Sequence, residues 1–395
     1  MVAFGGRRTI IAFCHARAKI TVEKRGQTWD LQQPEIDPKI LALIENNGCP
    51  LRDFKIGNQL RTMDHGSWFF IGFLYNPVYN FSLRDKIYLC FFYRMIVNNP
   101  ELLMDLVRTH GVAIVKPSGF DSAEFRDALS GLRDRCDKAR GGGSGGFCML
   151  YKNTSGPTID CHVKYFAKLS TGYGFFFETM ENCNCSEGRA PFDVIKKWDK
   201  ENMDGQMQGF MAYQVGADLG FLNKDFYDRS LLMVGSGCKT GVHLYAQKEL
   251  RKDLEYEREI KKMTMDFNND LHMREILKRL CPVFPPGTTN ENLLADQDTQ
   301  NSLCETRKFA EWVSASRGVT LTGVQKPMGV SEFNLKRKNG KFIKVAVQRY
   351  KDFYIVNGQK ASKYVDGVRV NKVDDEKVVE ALVENAGWIR GRDLI

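Results

Sequence analysis

Three short clusters carry side chains that could do chemistry. In Asn58-Gln-Leu-Arg61-Thr-Met-Asp64 an amide, a guanidinium and a carboxylate recur at every third residue. On a helix these three would run along one face, just before the aromatic wall Trp68-Phe69-Phe70. Gln214 and Asp218 stand one helical turn apart behind Phe210-Met-Ala-Tyr213. Asn301-Ser-Leu-Cys304-Glu305, followed by Lys308, sets an acid and a base at i and i+3. Set among apolar and aromatic residues, where a simple surface would not need them, such side chains could be catalytic groups. The competing account is structural. Polar pairs in apolar helices form hydrogen-bond networks, and Glu305 with Lys308 can be an exposed ion pair.

A fourth stretch, Leu232-Met-Val-Gly235-Ser-Gly237-Cys-Lys239-Thr240-Gly241, invites a phosphate reading. A Walker A loop requires glycine directly before the lysine, where Cys238 stands, so a P-loop kinase is excluded for this stretch. A helix-hairpin-helix turn remains, with Gly235, Gly237, Lys239 and Thr240 offering backbone N–H groups and a cation to nucleic-acid phosphate. An ordinary turn between helices is the alternative. Metal chemistry has less support: Cys183 and Cys185 follow Cys161-His162, but no C-x-x-C pair occurs and the eleven cysteines are irregularly spaced. Reduced thiols, no metal and no cofactor are expected.

The elements that must position these groups read mainly as helices over the first 310 or so residues. Asp121-Ser-Ala-Glu124 is a capped start, and Phe125, Leu129, Leu132 and Cys136 follow at helical spacing until the glycines after Arg140. Residues 246–263 predict a long amphipathic helix with Leu250, Leu254, Ile260 and Met263 inward. Further helices are expected at 37–46, 82–97, 99–109, 189–200 and 268–280. Gly141–Gly146 has the composition of a flexible linker and is read as an internal loop. Near Arg317-Gly318 the pattern changes to short strand-like runs, Lys341 to Arg349 and Phe353 to Val356, with Asn357-Gly358 as a hairpin turn and a last helix at 374–386. The expected division is a helical domain, 1–318, and a small basic α+β module, 319–395.

Charge supports that division. Of 395 residues 43% are hydrophobic and 27% charged, which is ordinary for a folded chain. Residues 320–395 hold ten lysines and five arginines against nine acids, a net +6 of the total +9. Such an excess suits a phosphate backbone, with Lys336, Arg337 and Lys338 as contacts, or else a solvated surface. No apolar run reaches the length of a membrane span and no export signal is evident, so an intracellular protein is expected.

In order as well as content, these segments resemble the α-glutamyl/putrescinyl thymine pyrophosphorylase family, whose helical domain also occurs in phage 5-hydroxymethyluracil DNA kinases. Arg17, then Trp29 and Asp37-Pro38, is similar to the family's opening, and Asn58-x-x-Arg61-x-x-Asp64 to its signature. Phe92-Tyr-Arg94 with Asn99-Pro-Glu101 follows, then Phe210 to Asp218, the Gly235-x-Gly237 turn, and Gln300 to Glu305 with Lys308. The resemblance covers about 300 residues. It implies a fold like the helix-hairpin-helix DNA glycosylases and a role in thymine hypermodification. An amine or amino acid would displace pyrophosphate from an activated 5-hydroxymethyluracil, which a separate kinase supplies. The implied site residues are Arg17, Asn58, Arg61, Asp64, Gln214, Asp218 and Glu305, with Arg61 on the leaving group and Asp218 as base or helix anchor. DNA containing modified thymine is the implied partner, in host cytoplasm for a phage protein and in the nucleus for a eukaryotic one. Two alternatives stand beside it, a DNA-recognition subunit without chemistry and a base-excising glycosylase. Asp218 precedes the glycine turn whereas glycosylases keep their aspartate after it, so glycosylase roles do not transfer.

Overall fold

A computed structural model describes residues 6–24, 27–32, 60–63, 65–97, 100–140, 158–171, 174–205, 207, 209–246, 250–317 and 375–394, with seven short strands between 333 and 369. The chain is mainly helical. In order come α1 (Arg7–Lys24), α2 (His65–Leu74), α3 (Leu83–Phe92), α4 (Pro100–His110), α5 (Ser122–Arg140), α6 (Thr158–Ser170), α7 (Gly174–Glu181), α8 (Pro191–Met203) and α9 (Gly209–Leu219). Then follow α10 (Ser236–Ala246), α11 (Asp253–Asn268), α12 (Leu271–Leu280), strand β1 (Val283–Phe284) and α13 (Asp296–Arg317). The strands are β2 (Phe333–Lys336), β3 (Phe342–Val345), β4 (Val347–Tyr350), β5 (Phe353–Val356), β6 (Gln359–Ala361), β7 (Tyr364–Val365) and β8 (Val368–Arg369). Helix α14 (Asp375–Ala386) and strand β9 (Ile389–Arg390) close the described chain.

Two compact units result, one from Met1–Asp64, Arg229–Arg349 and Ile389–Ile395, the other from His65–Asp228 and Tyr350–Trp388. They divide elsewhere than at residue 318. Helix α14 packs on α2 in the second unit, where Trp388 Nε1 donates to the Gly220 carbonyl at 3.1 Å. Strand β9 pairs antiparallel with β1 in the first, Val283 opposite Arg390. The strands flanking Asn357-Gly358 pair antiparallel with Val356 opposite Gln359, as the hairpin signal anticipates.

The second unit is built around aromatic side chains. Phe92, Phe125 and Phe166 meet with ring centroids 5.5–5.9 Å apart, and Tyr165 and Phe176 lie against Trp198 at 5.2 and 5.1 Å. Its helices start where local hydrogen bonding allows. The Asp121 carboxylate accepts from the N–H groups of Ala123 and Glu124, both at 2.9 Å, at the head of α5. Ser82 and Asp85 form a reciprocal capping box at α3. The helix expected over 82–97 is α3 followed by a widened π turn, Tyr93–Val97; those at 99–109 and 189–200 are α4 and α8. The helix expected at 37–46 lies outside the described residues, as do Gly141–Gly146.

In the first unit α10 crosses α13 closely. A Cβ on Gly237 would lie 2.7 Å from Cys304 Sγ, and one on Gly241 only 2.2 Å from the Leu303 carbonyl oxygen. Two glycines four residues apart thus let the backbones approach. The long helix expected over 246–263 begins later, at Asp253, and buries Tyr256, Ile260, Met263 and Phe267, leaving Leu254 55% exposed. The reason is local. Glu255 accepts from the Arg251 and Lys252 N–H groups and fixes the start, and at 3.6 residues per turn Leu254 falls on the side of the helix opposite Met263. Helix α12 begins after Asp270, whose carboxylate accepts from Met273 N at 2.9 Å, three residues later than the expected start at 268.

Candidate functional site

The residues singled out by spacing fall into the two units, and each unit gathers some of them. In the first, α1 and a single 3-10 turn, Arg61–Met63, both pack on α13. Arg17 is half-buried on α1, Arg61 is buried in the turn, and Glu305 is buried on α13. Arg61 itself lies in this 3-10 turn, α2 begins at His65, and Asn58 and Asp64 lie outside the described residues.

Asp298, which spacing alone did not single out, fastens this corner. Its Oδ1 accepts from Arg61 N at 3.0 Å and its Oδ2 from Ala295 N at 3.2 Å. One carboxylate therefore caps α13 from its third position and holds the Arg61 turn. Full burial pushes its pKa up to about 6, against the two N–H bonds and the charges of Arg229 and Arg61. Arg229 ties the adjoining loop, donating to Thr288 Oγ1 at 2.7 Å and to the carbonyls of Asn292 and Leu294 at 2.8 and 3.1 Å. Gln300 Oε1 accepts from Met233 N at 2.9 Å and so fixes the segment that leads into Gly235. The signal for Asp298 was an acid at the third position of a helix whose cap, Ala295, has no polar side chain.

Residues 231–235 are non-helical and α10 begins at Ser236, directly after Gly235. Gly237 is spent on the crossing with α13. Lys239 pairs with Asp253 Oδ1 at 2.5 Å and lies 5.2 Å over the Tyr256 ring, and Thr240 is half-buried beside it in sequence. Lys336 is in β2, and Arg337 and Lys338 lie outside the described residues. Elsewhere in this unit His15 Nδ1 meets His272 Nε2 at 3.1 Å between α1 and α12. Burial, then His272 and Lys19, lower the His15 pKa to about 4.

In the second unit Asp218 of α9 is fully buried, and Arg94 grips it with both arms of its fork: Nη2 donates to Oδ1 at 2.7 Å and Nε to Oδ2. Arg94 stands on the π turn, where an extra residue in the helical turn re-aims the side chain. Burial opposes its charge, but the Asp218 carboxylate outweighs burial and raises the Arg94 pKa above the ordinary arginine value. Burial also drives the neighbouring Cys90 thiol well up, with Asp218 adding to the effect. Gln214, one turn before Asp218, is half-buried. Two carboxylate oxygens held by one guanidinium make an architectural clamp between α9 and the π turn. Spacing showed both motifs but not their pairing.

Residues 7–316 match the model of the family described as 5-hmdU DNA kinase, helical domain. The chain belongs to that family. No curated protein and no solved structure matches it. The 5-hmdU DNA kinase helical-domain match runs from the first residue of α1 to one residue short of the end of α13, so it takes in both the Asp298 corner and the Arg94–Asp218 clamp. Among the described residues no helix is long and apolar enough to cross a membrane, and no three or more His, Cys, Asp or Glu side chains are grouped to hold a metal.

Proposed function

We propose that this chain acts on 5-hydroxymethyluracil in DNA, as the transferase that replaces pyrophosphate on the activated base with an amine or amino acid. The family match over residues 7–316 carries the reading. In the reaction the amine nitrogen attacks the exocyclic methylene carbon, the carbon–oxygen bond to pyrophosphate breaks with its electron pair, and the amine proton passes to a carboxylate. Arg17 and Arg61 supply cations for the diphosphate and Glu305 takes the proton. Support for this assignment is that all three ride on elements packed together in the first unit. Asn58 and Asp64 are proposed to contact the base, with Gly235, Lys239 and Thr240 on the phosphate backbone, joined there by Lys336, Arg337 and Lys338. A separate kinase would activate the base. The test is incubation with DNA carrying pyrophosphorylated 5-hydroxymethyluracil and a mixture of amines, followed by nucleoside mass spectrometry. A nucleoside adduct is expected; Glu305→Gln and Arg61→Lys should form it about tenfold to a thousandfold more slowly.

One observation favours a second reading, recognition of the modified base without chemistry. Asp218, the carboxylate in the most distinctive motif, is fully buried and held at both oxygens by Arg94, which suits a fixed scaffold. Tight binding of the modified DNA with no adduct under any amine would support that reading, and release of free base would support a glycosylase.

A further inference from the structure

Helix α11, in the first unit, buries one side and presents the other. Tyr256, Ile260, Met263 and Phe267 turn inward, and the helix packs on α10, α12 and α13. Leu254, Arg258, Lys261 and Met265 succeed one another at spacings of four, three and four residues. On a helix that spacing makes one straight seam, here on the outward side opposite the buried face. Leu254 is more than half exposed, Met265 is 66% exposed, and Leu271, which opens α12, is 69% exposed. A single exposed aliphatic is ordinary. These three, however, are all the exposed large apolar side chains of the first unit among the described residues, and they fall on one helix and the start of the next.

Between the apolar ends of the seam stand cations. Arg258 and Lys261 lie within it and Lys262 beside it, all exposed, and among the described residues none of the three pairs with a carboxylate. The acids nearby are mostly engaged elsewhere. Asp253 pairs with Lys239, Glu255 accepts from the Arg251 and Lys252 N–H groups, and Asp266 accepts from the Tyr245 hydroxyl, which leaves Glu257 at one edge of the stripe. The seam therefore reads apolar, cation, cation, apolar over about 16 Å of helix. Its chemistry selects among occupants. A phosphate backbone would meet Arg258 and Lys261 but offers nothing to Leu254 and Met265. A second copy of α11 laid antiparallel across a two-fold axis would set Leu254 on Met265 but Arg258 against Lys261, and a parallel copy would set each cation on itself, like on like. A helix with aliphatic residues at its outer seam positions and acids at the inner two answers all four side chains.

We propose that the outward seam of α11 docks an acidic amphipathic helix of a partner protein. The test uses the full chain and a fluorescein-labelled synthetic helix with leucine at the two outer seam positions and glutamate at the two inner ones, read by fluorescence anisotropy. The wild-type chain should bind this peptide. Arg258→Glu with Lys261→Glu, which alters only exposed side chains, should weaken binding about tenfold or more, and a peptide with lysine at the inner positions should bind that variant and not the wild type. Met265→Ser should weaken binding of the first peptide about threefold or more while leaving the melting temperature unchanged. Recovery by the charge-swapped peptide also shows that the double variant is folded. Equal binding of the glutamate peptide by wild type and the double variant, or none by the wild type, overturns the proposal. So does a wild-type dimer in sedimentation that Met265→Ser dissolves, which would give the seam to a second copy, or competition for it by duplex DNA at equal charge, which would give it to nucleic acid.

Discussion

The buried arginine–aspartate clamp is the sharpest test available at the level of single residues. Asp218→Asn leaves a guanidinium buried without its counter-charge, which costs about 3–5 kcal/mol, whereas Arg94→Met with Asp218→Leu should recover part of that loss. Urea unfolding of the three chains decides it. If Asp218→Asn is as stable as wild type yet transfers no amine, Asp218 is a general base after all. Two other buried groups give opposite pH slopes. His15 has its pKa lowered to about 4, below the unfolded value of about 6.5, so it binds fewer protons when folded and stability is lost as pH falls from 6.5 towards 4. Asp298 is raised to about 6, so its folded form binds more protons and stability is lost as pH rises from about 4 to 6. His15→Gln should flatten the first slope and Asp298→Asn the second, read as unfolding midpoints at about pH 4.5, 5.5 and 7. Arg61, Gln214, Asp218 and Glu305 stand out in the sequence as polar residues at helical spacing among apolar ones, although Arg61 sits in a 3-10 turn. Arg94 with Asp218, and Arg61 with Asp298, were not legible as pairs, since 124 and 237 residues separate the partners and no local period joins them.

Among the elements, the crossing of α10 over α13 depends on absent side chains. Gly241→Ala would drive a Cβ to within 2.2 Å of a backbone oxygen, so the helices must part, and a loss of about 1–3 kcal/mol is expected. Gly235→Ala meets nothing within 4 Å and should change thermal stability little, which makes it the control in the same melting experiment. Glycine spacing alone does not tell a backbone that meets a ligand from one that meets another helix: Gly237 and Gly241 meet α13, while Gly235 is open. Helix existence was more readily legible than helix limits. α4, α5 and α8 follow their apolar periods, whereas α11 starts seven residues later than expected because Glu255, and not the hydrophobic count, sets the first turn. The π turn after α3 left no sign in a pattern that reads as uninterrupted helix through Val97.

For the molecule as a whole, the concentration of positive charge after residue 320 makes a prediction about salt. Replacing Lys336, Arg337 and Lys338 by glutamine should reduce the slope of log K against log salt for DNA binding by up to about 2.7, near 0.9 for each phosphate that is no longer neutralised. Equal slopes would assign that charge to solvation. Composition showed this asymmetry, but it could not show that α14 and Trp388 are built into one unit and β9 into the other, because such placement depends on partners far away in sequence. The same interleaving bears on how the chain is made. Phe13 and its neighbours in α1 are buried, yet α12, against which His15 rests, begins more than 250 residues later. At the ordinary pace of a ribosome, about 5–20 residues per second, the gap is roughly 13–50 s. Throughout that time α1 emerges without the α12 face on which it packs, which makes the nascent chain a client for chaperones that hold exposed hydrophobic segments during synthesis.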